Sequence, residues 1–493
     1  MKKIFLAIFA IFLGLSVVGC GLNLEKKAKN LNFYSVNLNF DSKNYQLFGE
    51  MEVNFHNSTN FTLQNLKFNL YPNAFREDSN QQVISLASFS DCYYNGKSYG
   101  GIEINSVSSN STSLNFEITG EDKNILQVTL KDALKPDQRT KICMDFTIQL
   151  PNISHRFGYG ENTINLGNFL PTLCVIENGD FVEILYTSNG DPFYSESANY
   201  NVTIEYDKSF TLASTGEKIN TTENGGRLIT KISAKAVRDF AMILSSKFKV
   251  LSGHSGDISV NYYYYNDKNA EKSLETSIRA IKTFSSLFGD YPYPVMNVAE
   301  SNFCIGGMEF PNLVFISDKI EDFETYQYVI IHEIAHQWWY GVVGNNQTKH
   351  SWLDEGLAEY SSALFYAHNK GYETTYQSLV KRANSSMEVY QAVFEKIYGE
   401  NNDESMTRSL NEFKTETEYV YNAYIKGFLL YDSLSALLSE KVVVKCLKSY
   451  YLNYAFKIAT PELLIAEFEK VTSCNLEPMF NSWLSGAVRS ATT

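Results

Sequence analysis

Residues 329–361, VIIHEIAHQWWYGVVGNNQTKHSWLDEGLAEYS, restrict what this chain can fold into more than any other stretch. Within them His332, Glu333 and His336 spell H-E-x-x-H. An α-helix brings residues four apart onto one face, so both imidazoles can reach a single metal with Glu333 beside it. A catalytic zinc keeps three protein ligands and one open position, so the helix must be held against a third ligand. Glu355 is the candidate. Residues 337–354 suffice to end one helix near Gly341, cross a polar loop and start another at Trp352-Leu353-Asp354-Glu355. Two imidazoles and a carboxylate suit zinc best among divalent metals, and one ion per chain is expected. Glu359, one helical turn beyond Glu355, is placed to accept the outer N–H of a ligand histidine.

A chain of 493 residues is too long for one core and should divide into domains. Hydrophobic residues make up 44%, with 33 Tyr and 33 Phe, which supports packed globular structure. Lys plus Arg number 42 against 55 Asp plus Glu, a net charge of -13. With no basic stripe to displace counterions from a phosphate backbone, nucleic acid is not an expected partner. Nothing in the sequence fixes the oligomeric state.

Residues 1–19 read as an export signal, with Lys2 and Lys3 followed by an almost wholly apolar run from 4 to 18. That run is too short and too early for the spanning helix of a mature protein, and no other stretch approaches spanning length. Val17-Val18-Gly19-Cys20 resembles the bacterial lipobox, in which the cysteine is lipid-modified and becomes the first mature residue. Cys20 is therefore the expected lipidation site, with residues 20–30 a polar tether. The expected location is the outer face of a bacterial cytoplasmic membrane, or its periplasmic side. Six other cysteines permit disulfides without implying a framework, and Cys446 with Cys474 is the first pair to test. None has metal-ligand spacing.

From 31 to 250 the text is strand-like. Residues 34–40 and 49–55 alternate apolar with polar, and Asn, Gly, Ser and Asp clusters punctuate the runs. The expectation is an all-β antiparallel domain, a saddle or sandwich. The period then changes: Leu274, Ile278, Ile281 and Leu287 mark an amphipathic helix, and a β segment spans 295–316. The helix bearing the histidines should run from about 324 to 340, its opposite face carrying Ile330, Ile334 and Trp338. Helices follow over 355–369 and about 373–398, 420–438 and 441–454, then one opened by Thr460-Pro461 and a last one through 480–484. Residues 251–493 thus read as one α+β domain, mostly helical at its end. Trp338, Trp339 and Trp352 are expected in the core, and His350 and His368 are not expected to bind metal.

Four features together give the chain a resemblance to the gluzincin aminopeptidases of the aminopeptidase N and leukotriene hydrolase type. They are the His332, Glu333, His336 and Glu355 set, Gly306-Gly307-Met308-Glu309, the Tyr424-Ile425-Lys426-Gly427 run, and residues 68–73 in the β half. The resemblance implies a β domain followed by a thermolysin-like α+β zinc domain. It gives Glu333 the role of general base and Tyr424 that of oxyanion donor, with Tyr419 and Tyr421 as weaker candidates. It gives Glu309 the free α-ammonium of a peptide, with Gly306, Gly307 and Met308 along the substrate backbone. The chain departs from the family in two places. Phe310 stands where the motif has Asn, which removes a polar side chain expected beside the cleft, and Thr493 follows soon after the last helix, as in a short form with an open cleft.

Three functions fit these residues. The first is a lipid-anchored zinc aminopeptidase acting on extracellular peptides. The second, prompted by Phe310 and the short C-terminus, is an endopeptidase or a hydrolase of blocked substrates. The third is a surface peptide-binding lipoprotein without catalysis, against which the intact Glu333 and its three neighbours speak.

Overall fold

The computed structural model describes residues 22–399 and 403–488; the apolar start and Cys20 lie outside them. Alternation becomes sheet where it was expected. In the strand Phe33–Asp41 the even positions Tyr34, Val36, Leu38 and Phe40 are buried, and in Gln46–His56 the odd positions from Leu47 to Phe55 are. These two strands pair antiparallel at the middle of an eight-stranded sheet, in which Phe33–Asp41 also pairs parallel with Ala198–Asp207. Two four-stranded sheets and a two-stranded one complete the β-rich half. Within the expected tether, Leu24–Ala28 form a helical turn whose Ala28 is buried and whose carbonyl accepts from Asn199 Nδ2 at 2.8 Å.

The second half opens on a five-stranded mixed sheet in the order Lys249–Ser255, Ile258–Tyr264, Val295–Ser301, Leu313–Ser317, Gly307–Met308. Ala270–Phe288 packs on it as the expected helix, but its deepest residues are Ala280, Ile281, Phe284 and Phe288. Leu274 and Ile278 lie off-centre over Gly253, against the sheet's edge hairpin. Beyond the metal-binding stretch the structure is helical, with Tyr376–Tyr398, Glu440–Tyr454, Pro461–Thr472 and Glu477–Leu484 close to their expected places. The expected helix at 420–438 is instead three pieces, Glu416–Val420, a π-helical turn Tyr421–Ile425, and Lys426–Leu438.

The helix carrying the histidines is shorter than expected, Phe323–Ala335, with His336 as its C-cap. Its tail does not run on to Gly341. The carbonyls of His336, Gln337 and Trp338 instead accept from the N–H groups of Gly341, Val342 and Val343, five residues on, and Tyr340 takes a positive φ of 119°. This wide turn buries Trp338 and Trp339 while releasing the chain toward the loop before Glu355.

The two halves of the chain meet through glycine sockets. A Cβ on Gly167 would lie 2.2 Å from Phe310 Cζ, and one on Gly190 would lie 2.6 Å from the Tyr419 hydroxyl. A disulfide between Cys92 and Cys304 crosses the same junction, backed by hydrogen bonds from Cys304 N to Ser154 O and from Ser154 N to Cys92 O. The pair singled out from the sequence does not form, because Cys446 is buried in the helical core and Cys474 is exposed. Closing a long loop restricts the unfolded chain, so the double variant Cys92→Ser, Cys304→Ser is expected to lose about 2–4 kcal/mol of stability. Calorimetry of the oxidised protein and the variant measures it.

Candidate metal centre and catalytic site

Two helices and one loop build the centre. Asp322 caps the first helix by accepting from Thr325 N at 2.8 Å, and Ile330, Ile331, Ile334 and Ala335 anchor it in the core. This leaves His332, Glu333 and His336 on the face toward the second helix, Trp352–His368, which carries Glu355. The atoms His332 Nε2, His336 Nε2 and Glu355 Oε2 form a triangle with sides of 3.1, 3.2 and 3.3 Å. Tetrahedral ligands about 2.0–2.1 Å from a zinc ion are separated by roughly 3.3 Å, so the donor set fits zinc in identity and in spacing. Glu355 Oε2 is buried and has no hydrogen-bond donor within the protein, as a metal ligand requires.

Of the remaining imidazole nitrogens one is hydrogen-bonded and the other faces a carboxylate. His336 Nδ1 lies 3.0 Å from the Trp339 carbonyl, which fixes that nitrogen as the donor and presents Nε2 outward. His332 Nδ1 faces Glu359 Oε1 at 3.2 Å, and the other Glu359 oxygen accepts from the Tyr328 hydroxyl. Glu359 thus stands where the helical spacing placed it. The electrostatics favour positive charge here. Burial opposes protonation of His332, but Glu355 and Glu359 outweigh it and carry the imidazole up to about 10. Burial likewise opposes ionisation of Glu355, and His336 and His332 outweigh it, holding the carboxyl down to about 2.

Glu333 lies against the edge strand Gly307–Met308. A Cβ on Gly307 would fall 2.2 Å from Glu333 Oε1, whereas one on Gly306 would meet only Val329, at 3.9 Å. Burial pushes the Glu333 carboxyl up to about 7, against the pull of the two histidines. A carboxyl in that range can both take and return a proton near neutral pH. Glu309 follows on the same edge and is buried, its carboxyl raised well above the ordinary range by burial and by Asp191. The neighbouring Phe310 is not beside the cleft as expected: it is fully buried and packs edge-on to Phe315 with centroids 5.2 Å apart. Phe310 belongs to the core, so the Asn-to-Phe departure changes packing there.

Tyr424 reaches the centre from the π-helical turn. Its hydroxyl donates to Glu355 Oε1 at 2.6 Å, and its ring stacks on His332 with centroids 5.8 Å apart. The glycines of the two motifs explain the approach. A Cβ on Gly356 would lie 2.8 Å from Gly427 Cα, so the helices cross backbone to backbone and Tyr424 lands beside Glu355. Tyr419 stands edge-on to Tyr424 at 5.6 Å, while Tyr421 stacks on Tyr390, on the other side of the turn. His350 and His368 are not among the clustered ligand atoms.

Four contributors carried no sequence motif. Gln337 accepts from Asn312 N through Oε1 at 2.9 Å and donates to the Phe310 carbonyl at 3.2 Å, fixing the segment after Glu309 to the histidine helix. Gln347 donates to Glu309 and Asp354. The β half supplies the buried Arg156–Asp191 ion pair, and Asn189, which bonds the carbonyls of Leu410 and Phe413.

A β-rich half joined to an α+β half with an H-E-x-x-H helix and a distant Glu is the architecture of a gluzincin metallopeptidase. Residues 272–483 match the Peptidase family M1 domain. The chain is 24% identical to endoplasmic reticulum aminopeptidase 2 of Bos taurus over 357 residues, covering 68% of this chain and 36% of that protein. It is 23% identical to the mitochondrial aminopeptidase 2 of Saccharomyces cerevisiae over 309 residues, 59% of this chain and 30% of the relative. The chain thus spans about a third of the length of the curated relatives it matches. Its fold is that of an M1 zinc metallopeptidase from Deinococcus radiodurans, with a TM-score of 0.67 at 16% identity and 94% of each chain covered. A form of the Deinococcus protein bound to a Tyr-Ser-Ala substrate gives 0.65, also at 16% identity, covering 94% of this chain and 95% of that one.

The glycine edge yields a test with an internal control. Gly307→Ala is expected to displace the Glu333 carboxylate and lower kcat about 100-fold or more, whereas Gly306→Ala, with open space at its Cβ, should stay within a few-fold of the parent. Steady-state kinetics on one peptide, with metal content measured alongside, compares the two.

Proposed function

We propose that this protein is a zinc aminopeptidase that removes N-terminal residues from peptides outside the cytoplasm. The observation that carries the reading is Glu309: a buried carboxylate oxygen within 4.8 Å of ligand atoms of His336 and Asp354, on the strand edge that also touches the Glu333 carboxylate. A carboxylate so close to the metal triad suits the free α-ammonium of a peptide whose first bond lies at the centre. The M1 domain match and the substrate-bound Deinococcus structure support the same class of reaction.

His332, His336 and Glu355 would hold the zinc, which supplies Lewis acidity toward a water and a scissile carbonyl. Glu333 takes a proton from the attacking water and returns it to the leaving amine. The Tyr424 hydroxyl, 2.6 Å from Glu355, is placed to donate to the oxyanion of the tetrahedral intermediate. The unpaired side of Gly307–Met308 can align the substrate backbone as an added strand. Glu309 holds the amino terminus. Phe310, which prompted the endopeptidase reading, packs into the core and lends that reading nothing.

The test is turnover of one peptide, with its amino terminus free and then acetylated, with and without a chelator. Cleavage of the free form alone, stopped by the chelator, is the expected result, and Glu333→Gln should lower kcat by about 100-fold or more with one zinc still bound. Equal cleavage of both forms would replace the reading with an endopeptidase, and no turnover would replace it with a binding protein.

The setting is part of the proposal. An interdomain disulfide is at home in an oxidising compartment, and the start of the sequence through Cys20 has the form of a lipoprotein signal. Among the described residues no helix is long and apolar enough to cross a membrane, so a lipid on Cys20 would be the attachment. In a bacterial host the parent protein is expected in the membrane fraction, labelled by a fatty-acid analogue, and Cys20→Ala unlabelled; an unlabelled parent overturns the anchor.

A further inference from the structure

Gln347 is 2% exposed and sits between two buried acids. Its Nε2 donates to Glu309 Oε1 at 3.0 Å and to Asp354 Oδ2 at 2.8 Å. Glu309, Asp354 and His336 each bring a ligand atom within 4.8 Å of the others, which has the outline of a second cation site. The amide nitrogen already spans the two carboxylates, so the trio needs no cation to hold it together. Its two N–H groups are matched by the two acids.

This bonding fixes which way the amide faces. Toward ionised carboxylates the amide presents its nitrogen, and its oxygen takes no part in these two bonds. That oxygen, Gln347 Oε1, is buried and has no hydrogen-bond partner. A buried acceptor left unpaired is costly, and this one belongs to the side chain bonded to the carboxylate that would receive the substrate's amino terminus. The complementary group is one that only donates. An α-ammonium has three N–H groups and no acceptor, and a carboxylate oxygen together with an amide oxygen can take two of them.

We propose that Gln347 determines specificity for a free amino terminus, its nitrogen fixing Glu309 against Asp354 and its Oε1 accepting an N–H of the substrate's α-ammonium. The proposal rests on the aminopeptidase reading and deepens it. It also accounts for how the site keeps a polar partner for Glu309 although the next residue along the strand is Phe310: the partner comes from the loop before Glu355.

The experiment measures kcat and KM for one peptide, with its amino terminus free and acetylated, using the purified full chain, Gln347→Met and Gln347→Asn, with zinc content determined for each. Methionine keeps length and removes every hydrogen bond; asparagine keeps the amide but is too short to span both acids. For Gln347→Met the KM for the free peptide should rise about tenfold or more with a smaller change in kcat, the preference for free over acetylated peptide should fall by the same factor, and one zinc should remain bound. Gln347→Asn should fall between Met and parent, and it carries the test if the Met variant does not fold. Unchanged preference in a zinc-loaded variant overturns the role of Gln347 alone. A parent that cuts both peptides equally removes the aminopeptidase reading, and the Gln347 proposal falls with it.

Discussion

Three lone pairs must converge within about 3 Å in a buried pocket, and much of the second half of the chain follows from that requirement. Left to themselves the groups would resist it. Each imidazole and the carboxylate lose hydration on burial, and five carboxyls, Asp191, Glu309, Glu333, Asp354 and Glu355, crowd the same region. The structure answers with rigid backbones and matched dipoles. The histidine helix is fixed by four buried aliphatic residues, the Glu355 helix by its glycine contact with the Tyr424 helix, and the acids by amide, hydroxyl and guanidinium donors.

That arrangement gives each carboxyl a separate task. Glu355 is held ionised at about 2 by the histidines, Glu333 is raised to about 7 by burial, and Asp354, also raised to about 7 by burial, is tied to Gln347. Carboxyls within one pocket are thus driven in opposite directions, Glu355 down and Glu333 and Asp354 up, by what surrounds them.

What the sequence showed and what it hid divide along a physical line. Period-two burial in 34–40 and the four-residue spacing of His332 and His336 are local regularities, and the structure carries both. Glu355 and Glu359 were legible because two helices with a short loop leave few ways to bring them back. The end of the histidine helix was not, because it is set by a wide turn whose hydrogen bonds compete with the α-helical pattern over only a few residues. Phe310 looked like a lesion in the cleft because a motif does not say which face of a two-residue edge strand its positions take. Gln347, Asp191 and the Cys92 to Cys304 bridge depend on partners that chain topology brings close, and no spacing rule could have found them.

The glycine sockets at 167 and 190 tie the two halves of the chain together. Phe310 sits one residue from Glu309 and presses on one socket, while Tyr419 touches Tyr424 and presses on the other. A second half joined to a β half with a side chain at either socket would have the segment around Glu309 or the Tyr424 turn displaced, although every motif residue was present. Gly167 with Phe310, and Gly190 with Tyr419, are thus pairs whose sizes must be chosen together, each partner from a different half of the chain.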